Sequence, residues 1–365
     1  MRDRLLAPKI VTVSFALEPV YNVLESMSDL TEVNRLSGFS DWIVQAAMNL
    51  PPERKRVNRL LFGACEPYFM ALPLDQNWTS FPAFLDHLAA YDAVKLRDSM
   101  LAHLCKPTQE VADGVTPPAP AQLLGSLEAY IAWHQAVLQE HGHSETDVEL
   151  LAWSHRLLND PPALLNTTVT HLRVMWHEVL AEEWVHNLPM LEESVAAFNK
   201  VDFSGLTALE AIRAVTGRDL RGKWADSLNP VEHIVFVPSP HIGPYVSKFM
   251  GDKVIRLIFG ARLPKGIKID QSAVSRSELL VRINGLADDA RLRILDLLRQ
   301  EGEMCAQDII ARLGMSQSSV SRHLSQLSAT GYLTERRRDV AKCYSLNTDR
   351  IEETLRALSS FLLPP

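Results

Sequence analysis

The chain of 365 residues carries 37 Lys and Arg against 44 Asp and Glu, is 47% apolar and 22% charged, and holds 21 prolines. That globular composition excludes collagen, a coiled-coil rod and bulk disorder, and its length predicts two to three domains. The longest run free of Asp, Glu, Lys and Arg is 15 residues, His233–Ser247, and carries three prolines, short of the roughly 20 apolar residues that a spanning helix needs.

The N-terminus has no continuous apolar segment and no small-residue cleavage site, which predicts a cytoplasmic protein without a membrane partner. Cys65, Cys105, Cys305 and Cys343 lie far apart with no CxxC, and reduced thiols are expected in place of a disulfide framework or a zinc ribbon. The net charge of -7 is unevenly spread. Residues 278–365 hold 12 basic and 12 acidic side chains, so the first 277 carry all of it. Within 312–342, Arg312, Arg322, Arg336, Arg337, Arg338 and Lys342 face only Glu335 and Asp339. This local excess of positive charge suits an anionic partner.

Along the chain, Val11, Val13 and Phe15 alternate in a short strand over 10–17. Helical spacing of apolar residues then predicts segments near 19–30, 40–49, 54–70, 81–104, 120–140, 145–158, 162–187, 190–200 and 205–216. Pro51-Pro52, Pro82, Pro161-Pro162 and Pro189 sit where first helical turns would begin, and 105–120 reads as a loop. Residues 231–260 turn to β-branched and aromatic runs with Pro and Gly between them, and read as a small antiparallel sheet. The stretch 262–277 lacks a clear period and reads as a linker. The expected fold is mainly α: a helical N-terminal domain over 1–261 with the strand and small sheet, then a winged helix-turn-helix over 278–365.

The C-terminal elements read helix, helix, helix, strand, strand. Asp288 or Asp289 caps the first helix, which carries Leu292, Leu295 and Leu298 and ends at Gly302. The second, about Ala306 to Leu313, stops at Gly314. Ser316 caps the third, a recognition helix over about 316–328. Turning Val320, Leu324 and Leu327 inward points Ser318, Arg322 and Ser325 outward, with Ser319, Ser321 and Gln326 at the flanks. Small polar donors and an arginine on a second helix after a tight turn suit the major groove. The hairpin over about 333–345, with Arg336, Arg337, Arg338 and Lys342, reads as a basic wing for phosphates. Its arginine run is otherwise a solvated turn. His323, at the edge of the inward stripe, is expected to pack or to bond the backbone.

The runs Leu286-Ala-Asp-Asp-Ala-Arg-Leu-Arg-Ile-Leu295, Ser316-Gln-Ser-Ser-Val-Ser-Arg-His-Leu324 and Gly331-Tyr-Leu before a basic hairpin resemble the ArsR-type winged-helix repressors. Asp289 stands where that family usually has proline. The resemblance covers about the last 85 residues and implies a homodimer with one winged helix per subunit, binding an imperfect palindrome of double-stranded DNA. On it, Gln317, Ser318, Ser319, Ser321 and Arg322 enter the major groove. Ile351, Leu355, Leu358 and Leu362 form an apolar stripe that pairs with a partner helix or packs within its own subunit. Metal-sensing members carry paired cysteines in the second helix. Here Cys305 stands alone and the last helix has no histidine, so no metal is expected. Residues 14–27 and 235–240 resemble the uncharacterised helical extension ahead of such winged helices in some bacterial regulators, which implies an architecture and no ligand.

His171, His177, Glu178, Glu182 and His186 crowd one predicted helix, but their spacing differs from His-Glu-x-x-His, and His177 and His186 are nearly opposite in helical phase. No dinucleotide, P-loop or nucleophile-elbow motif occurs, and no catalytic residue or cofactor is assigned. Trp133, Trp153, Trp176 and Trp184 with Tyr130 read as core, or as the lining of a pocket for an unidentified small-molecule effector. The expected function is a sequence-specific transcriptional regulator, a homodimeric repressor and not an enzyme. The alternative is an enzyme or interaction scaffold in the N-terminal domain, with the winged helix as a targeting or dimerisation module.

Overall fold

The computed structural model describes residues 9–62, 72–74, 78–105, 118–140, 147–218, 228, 230–251, 253–264, 276–338 and 341–363. The protein is mainly α, with two small sheets. Its contacts gather it into two compact units, one of residues 18–32 and 45–185 and the other of residues 1–17, 33–44 and 186–365.

The first unit is helical. It comprises α1 (Pro19–Glu32), most of α2 (Asp41–Asn49), α3 (Pro52–Phe62), α4 (Phe81–Ala89), α5 (Ala93–Leu104), α6 (Pro120–Gly125), α7 (Leu127–Glu140), α8 (Val148–Leu158) and α9 (Pro161–Met175), then a π-helical turn over Trp176–Leu180 and the start of α10 (Ala181–Phe198). Pro52, Pro82 and Pro161 occupy first helical turns, where the absent N–H has no intrahelical partner to lose. The helix expected over 81–104 is two, because the Asp92 carboxylate accepts from the Val94 and Lys95 N–H groups at 2.9 and 3.0 Å and starts α5 afresh. Ser126 interrupts 120–140 in the same way by accepting from Ala129 N–H at 3.1 Å. Pro189 goes the other way: it lies inside α10, not at a helix start. Burial of Leu191, Ala197 and Phe198 further along that helix offsets the roughly 3 kcal/mol that an interior proline costs.

Tyr130, Trp133 and Trp176 are core residues of the helical unit. Tyr130 Oη shares a hydrogen bond with Ser154 Oγ at 2.6 Å, and Trp133 Nε1 donates to the Leu104 carbonyl at 3.1 Å. Trp153 and Trp184 are half-buried, with the Arg56 guanidinium 5.8 Å from the Trp153 ring. His177, Glu182 and His186 are exposed on the helical turns that carry them, and Glu178 pairs with Arg54. Among the described residues no three His, Cys, Asp or Glu side chains gather as a metal site would need.

The second unit is built on a four-stranded sheet of β1 (Thr12–Phe15), β2 (His233–Ser239), β3 (Val246–Met250) and β4 (Val254–Gly260), in the order β1-β2-β4-β3. β3 and β4 form the expected antiparallel pair, while β1, β2 and β4 run parallel to one another. The parallel pairing of β2 with β4 follows from the path of the chain after β2: residues 240–245 cross the end of β4 to reach the edge before the hairpin returns. The crossing is tight. Gly243 has φ +60°, and a Cβ there would stand 2.1 Å from the Gly38 carbonyl oxygen, while a Cβ on Gly260 would stand 2.5 Å from that of Gly243. Phe15, stacked on Phe198 and Phe236 at 4.8 and 5.2 Å, joins the sheet to α10 and to α11 (Ala208–Thr216), which opens on a Thr207–Glu210 capping box.

The same unit contains the C-terminal region: α12 (Arg276–Leu286), α13 (Asp289–Glu301), β5 (Met304–Cys305), α14 (Ala306–Leu313), α15 (Gln317–Ala329), β6 (Leu333–Arg338), β7 (Ala341–Leu346) and α16 (Thr348–Leu362). Ile294, Leu298, Ile309, Val320, Leu324, Leu327 and Tyr332 fill its core. Of the linker read from sequence, 265–275 lies outside the described residues and 276–277 begin α12, a helix that its weak apolar periodicity did not announce. The cysteines bring a correction. Cys305 and Cys343 are disulfide-bonded, because the pairing of β5 with β7 sets them opposite each other with Cα atoms 3.7 Å apart. They are 38 residues apart in the chain, and no local spacing marks them. Cys105 is a free thiol raised by burial, and Cys65 lies outside the described residues.

Candidate nucleic-acid interface

Local sequence positions the recognition helix. Gly314 ends α14 in the left-handed region at φ +63°, with its N–H bonded to the Ile310 carbonyl. Ser316 caps α15 by accepting from Ser319 N–H at 3.2 Å. Val320, Leu324 and Leu327 are buried, as their i, i+4, i+7 spacing requires. The opposite side carries Gln317, Ser318 and Ser321 exposed, with Ser319 and Arg322 half-buried. The first two turns of α15 thus present an amide, three hydroxyls and a guanidinium together.

Gln326 corrects the sequence reading. Expected at the flank of the outward face, it is 1% exposed. The Arg291 guanidinium donates to Gln326 Oε1 at 2.8 Å and Ser37 Oγ hydrogen-bonds the same oxygen. Ser37 is held in turn through its carbonyl, which accepts from Tyr245 Oη at 2.6 Å. The segment around Ser37 and Gly38 therefore covers one flank of α15 beyond its second turn. His323 is buried, as expected, with Nδ1 3.7 Å from Asp288 Oδ1. Burial holds the imidazole below its ordinary pKa, with the Asp288 charge opposing. Burial acts to raise the Asp288 carboxyl, but the Arg291 backbone N–H and the nearby Arg291 and His323 charges outweigh it and leave that pKa lowered.

β6 and β7 form the wing, with Arg336 opposite Cys343, Arg337 opposite Lys342 and Arg338 opposite Ala341. Arg336 is exposed, its Nε 4.0 Å from the Glu303 carboxylate, and Lys342 is exposed. For Arg337 and Arg338 the strand position alone is described. The register sets two cationic positions face to face near the tip, an arrangement that costs a free hairpin stability and that a polyanion would offset.

On α16, Ile351 packs partly buried against the core of its own winged helix, Leu358 is half-buried, and Leu355 and Leu362 are 56% and 66% exposed. Leu280 on α12, at 58%, and Leu292 on α13, at 52%, are exposed as well. Leu280 is not expected at the surface from sequence, because only 276–277 of α12 fall in the linker, and the rest of that helix, up to the first expected helix of the winged helix, has no element assigned to it in sequence.

Residues 288–335 match the family described as bacterial regulatory protein, arsR family. The transcriptional repressor SdpR of Bacillus subtilis is 32% identical over 77 residues, 21% of this chain and 84% of that protein. The chain belongs to the arsR family of bacterial regulatory proteins. Arsenic resistance transcriptional regulator ArsR1 of Pseudomonas putida is 41% identical over 64 residues, 18% of this chain, and the chain spans half the length of that relative. Among solved structures, NolR from Sinorhizobium fredii is 34% identical over 24% of this chain and 86% of its own, with a TM-score of 0.20. The arsR-family part is the C-terminal DNA-binding helix-turn-helix, and the rest of the chain is an extension to it. Among the described residues no helix is long and apolar enough to cross a membrane.

Proposed function

We propose that the protein is a homodimeric, sequence-specific transcriptional repressor acting in the cytoplasm. Residues 278–365 bind DNA, and 1–261 serve as an effector or dimerisation part joined to them through 262–277. The observation that carries this reading is the exposed polar start of α15 beside a basic hairpin, in an arsR-family helix-turn-helix. Gln317, Ser318, Ser319, Ser321 and Arg322 meet base edges in the major groove, and Arg336, Arg337, Arg338 and Lys342 meet phosphates. Exposed Leu355 and Leu362 support pairing of two α16 helices, which sets the recognition helices on half-sites about 10 bp apart. Repression is the role named for the relative SdpR.

The test is sequencing of genomic fragments retained by the full-length protein, beside an Arg322→Ala, Arg337→Ala, Arg338→Ala variant. A short palindrome enriched by the wild type and bound about 100-fold more weakly by the variant is expected, since a base-reading arginine is worth about 1–3 kcal/mol and each phosphate contact adds to the salt slope. A folded protein that enriches no site at low salt overturns the reading in favour of a scaffold or an enzyme. Leu355→Glu with Leu362→Glu yields a monomer by sedimentation if α16 is the interface.

A further inference from the structure

Three glycines make a row of close contacts from the end of β4 to the flank of α15. A Cβ on Gly260 would stand 2.5 Å from the Gly243 carbonyl oxygen, one on Gly243 2.1 Å from that of Gly38, and one on Gly38 2.9 Å from Gln326 Nε2. Gly38 has φ +97°, in the left-handed region that favours glycine. The row is bound from the side as well. Ser40 N–H donates to the His241 carbonyl at 3.4 Å, the Phe39 and Tyr245 rings meet at 5.2 Å, and Tyr245 Oη donates to the Ser37 carbonyl at 2.6 Å. Interiors packed this closely transmit strain, and no rotatable side chain lies between β4 and the Gln326 amide to absorb a shift.

What the row reaches bears on DNA reading. Ser319, Arg322 and Gln326 follow one another on α15 at helical spacing and share one row of its surface. Gln326 Oε1 accepts from Arg291 Nη1 at 2.8 Å and from Ser37 Oγ. Arg291 is itself fixed at the end of α12, through Nε to the Gly285 carbonyl at 2.8 Å and Nη2 to that of Asn284 at 2.7 Å. Burial of Val320, Leu324 and Leu327 decides which face of α15 turns inward, but apolar contact is non-directional and leaves the helix free to roll a little. A helix with its side chains is about 10–12 Å across, so a roll of roughly 20° carries its surface roughly 2 Å, more than the spread of N–H···O distances. Two donors from distant parts of the chain on one amide oxygen pin that roll.

We infer that Ser37 and Gly38 are positioning residues for DNA reading: by holding Gln326 they fix the roll of α15, and with it Ser319 and Arg322, so the N-terminal extension sets how sharply the protein discriminates its site. The inference rests on the DNA-binding reading above. Ser37 lies 289 residues before Gln326, outside the residues 288–335 that match the arsR family, so the contact belongs to the extension. The wing is held by the pairing of β6 with β7, and its phosphate contacts do not depend on the roll of α15. Losing the contact therefore costs discrimination, which base edges supply, and spares the sequence-independent affinity, which phosphates supply.

The test measures binding of the full chain, by fluorescence anisotropy at one salt concentration, to the enriched palindrome and to a scrambled duplex of equal length. Ser37→Ala, which deletes one oxygen, and Gly38→Ala, which drives a methyl group at Gln326 Nε2, each lower the ratio of the two affinities about fivefold or more, the low end of what one base-reading pair discriminates. Affinity for the scrambled duplex, and its fall with salt, stay within about twofold of the wild type, because phosphates supply both. Ser37→Thr, which keeps the hydroxyl, restores the ratio. An unchanged ratio in Ser37→Ala, equal loss on both duplexes, or a Ser37→Thr as poor as Ser37→Ala each overturns the inference. Tighter binding to both duplexes overturns it too, by making the segment an obstruction to DNA. Ser37→Ala decides alone if Gly38→Ala melts below the assay temperature. A wild type that enriches no palindrome, or does not tell it from the scrambled duplex, overturns the DNA-binding reading and this inference with it, whereas a discriminating wild type matched by its variants overturns the inference alone.

Discussion

In the helical unit the buried titratable side chains include the imidazoles His134 and His171 and the Asp29 carboxyl; in the winged helix they include the guanidinium groups of Arg282 and Arg291. Burial depresses both His134 and His171 to about 4, with the Arg54 charge adding to the effect on His171, so they are held neutral. His171 Nε2 hydrogen-bonds Asn58 Oδ1 at 2.9 Å, and Asn58 Nδ2 donates to Met27 O at 2.6 Å. Arg291 instead stays charged, donating to the carbonyls of Gly285 and Asn284 at 2.8 and 2.7 Å and to Gln326. A guanidinium keeps its proton at every working pH, whereas an imidazole does not. The winged helix holds one depressed imidazole, His323, whose Asp288 neighbour opposes the shift, whereas the helical unit holds two among the described residues with no carboxylate opposing, so the helical unit depends more on neutrality. The winged helix also carries the one disulfide found among the described residues.

The largest difference between the regions is expected from that disulfide. Closing a loop of 38 residues is worth roughly 4 kcal/mol through the unfolded state. Reductant, or Cys305→Ala with Cys343→Ala, lowers the denaturant midpoint of α13 and α15 by hydrogen exchange, and leaves α7 to α9 where they were. Equal loss in both regions would dissolve the distinction.

Acid supplies the next effect. The unfolded imidazole takes its proton near 6.5, and the folded ones near 4. Stability from His134 and His171 is therefore full above pH 6.5 and lost as pH falls toward 4, on the order of 3 kcal/mol each. Asp29 opposes this. Burial and the Glu25 and Glu32 charges raise its pKa well above the ordinary value, so it takes up a proton in the folded state and regains stability as pH falls. The Asp29→Asn variant thus shows the steeper acid loss, followed through tryptophan fluorescence, since residues 278–365 contain no tryptophan. A flat profile in that variant would mean that the imidazoles are hydrated.

Smaller effects sharpen the contrast. Tyr332 Oη donates to Arg282 O at 2.8 Å and lies 3.2 Å from Thr354 Oγ1, so Tyr332→Phe costs about 1–2 kcal/mol at any pH below the tyrosine range. Arg54→Ala removes an ion pair in which Arg54 is half-buried and Glu178 exposed, and a loss smaller than that of Tyr332→Phe is expected in chemical denaturation.

The winged helix was the more legible region, because its signals act over a few residues. The caps at Asp288 and Ser316, the stops at Gly302 and Gly314 and the inward stripe of α15 stand where their spacing put them. What spacing missed there is long-range. Gln326 is buried by Ser37, 289 residues away, and Cys305 meets Cys343 through strand pairing. In the helical unit, apolar periodicity found the helices, while Asp92 and Ser126 broke two of them by capping and Pro189 failed to break one.

Sequence by itself determined the mainly helical class, the helix-turn-helix with its basic hairpin and the family, since capping, periodicity and turn chemistry are set by neighbours within a turn or two. Tertiary structure alone decided the parallel pairing of β2 with β4, the disulfide, the covering of Gln326 and the close approach of Gly38, Gly243 and Gly260. Those three glycines are spread over 223 positions of the chain. Only the crossing of residues 240–245 over the end of β4, where glycine lets backbones touch, brings them together.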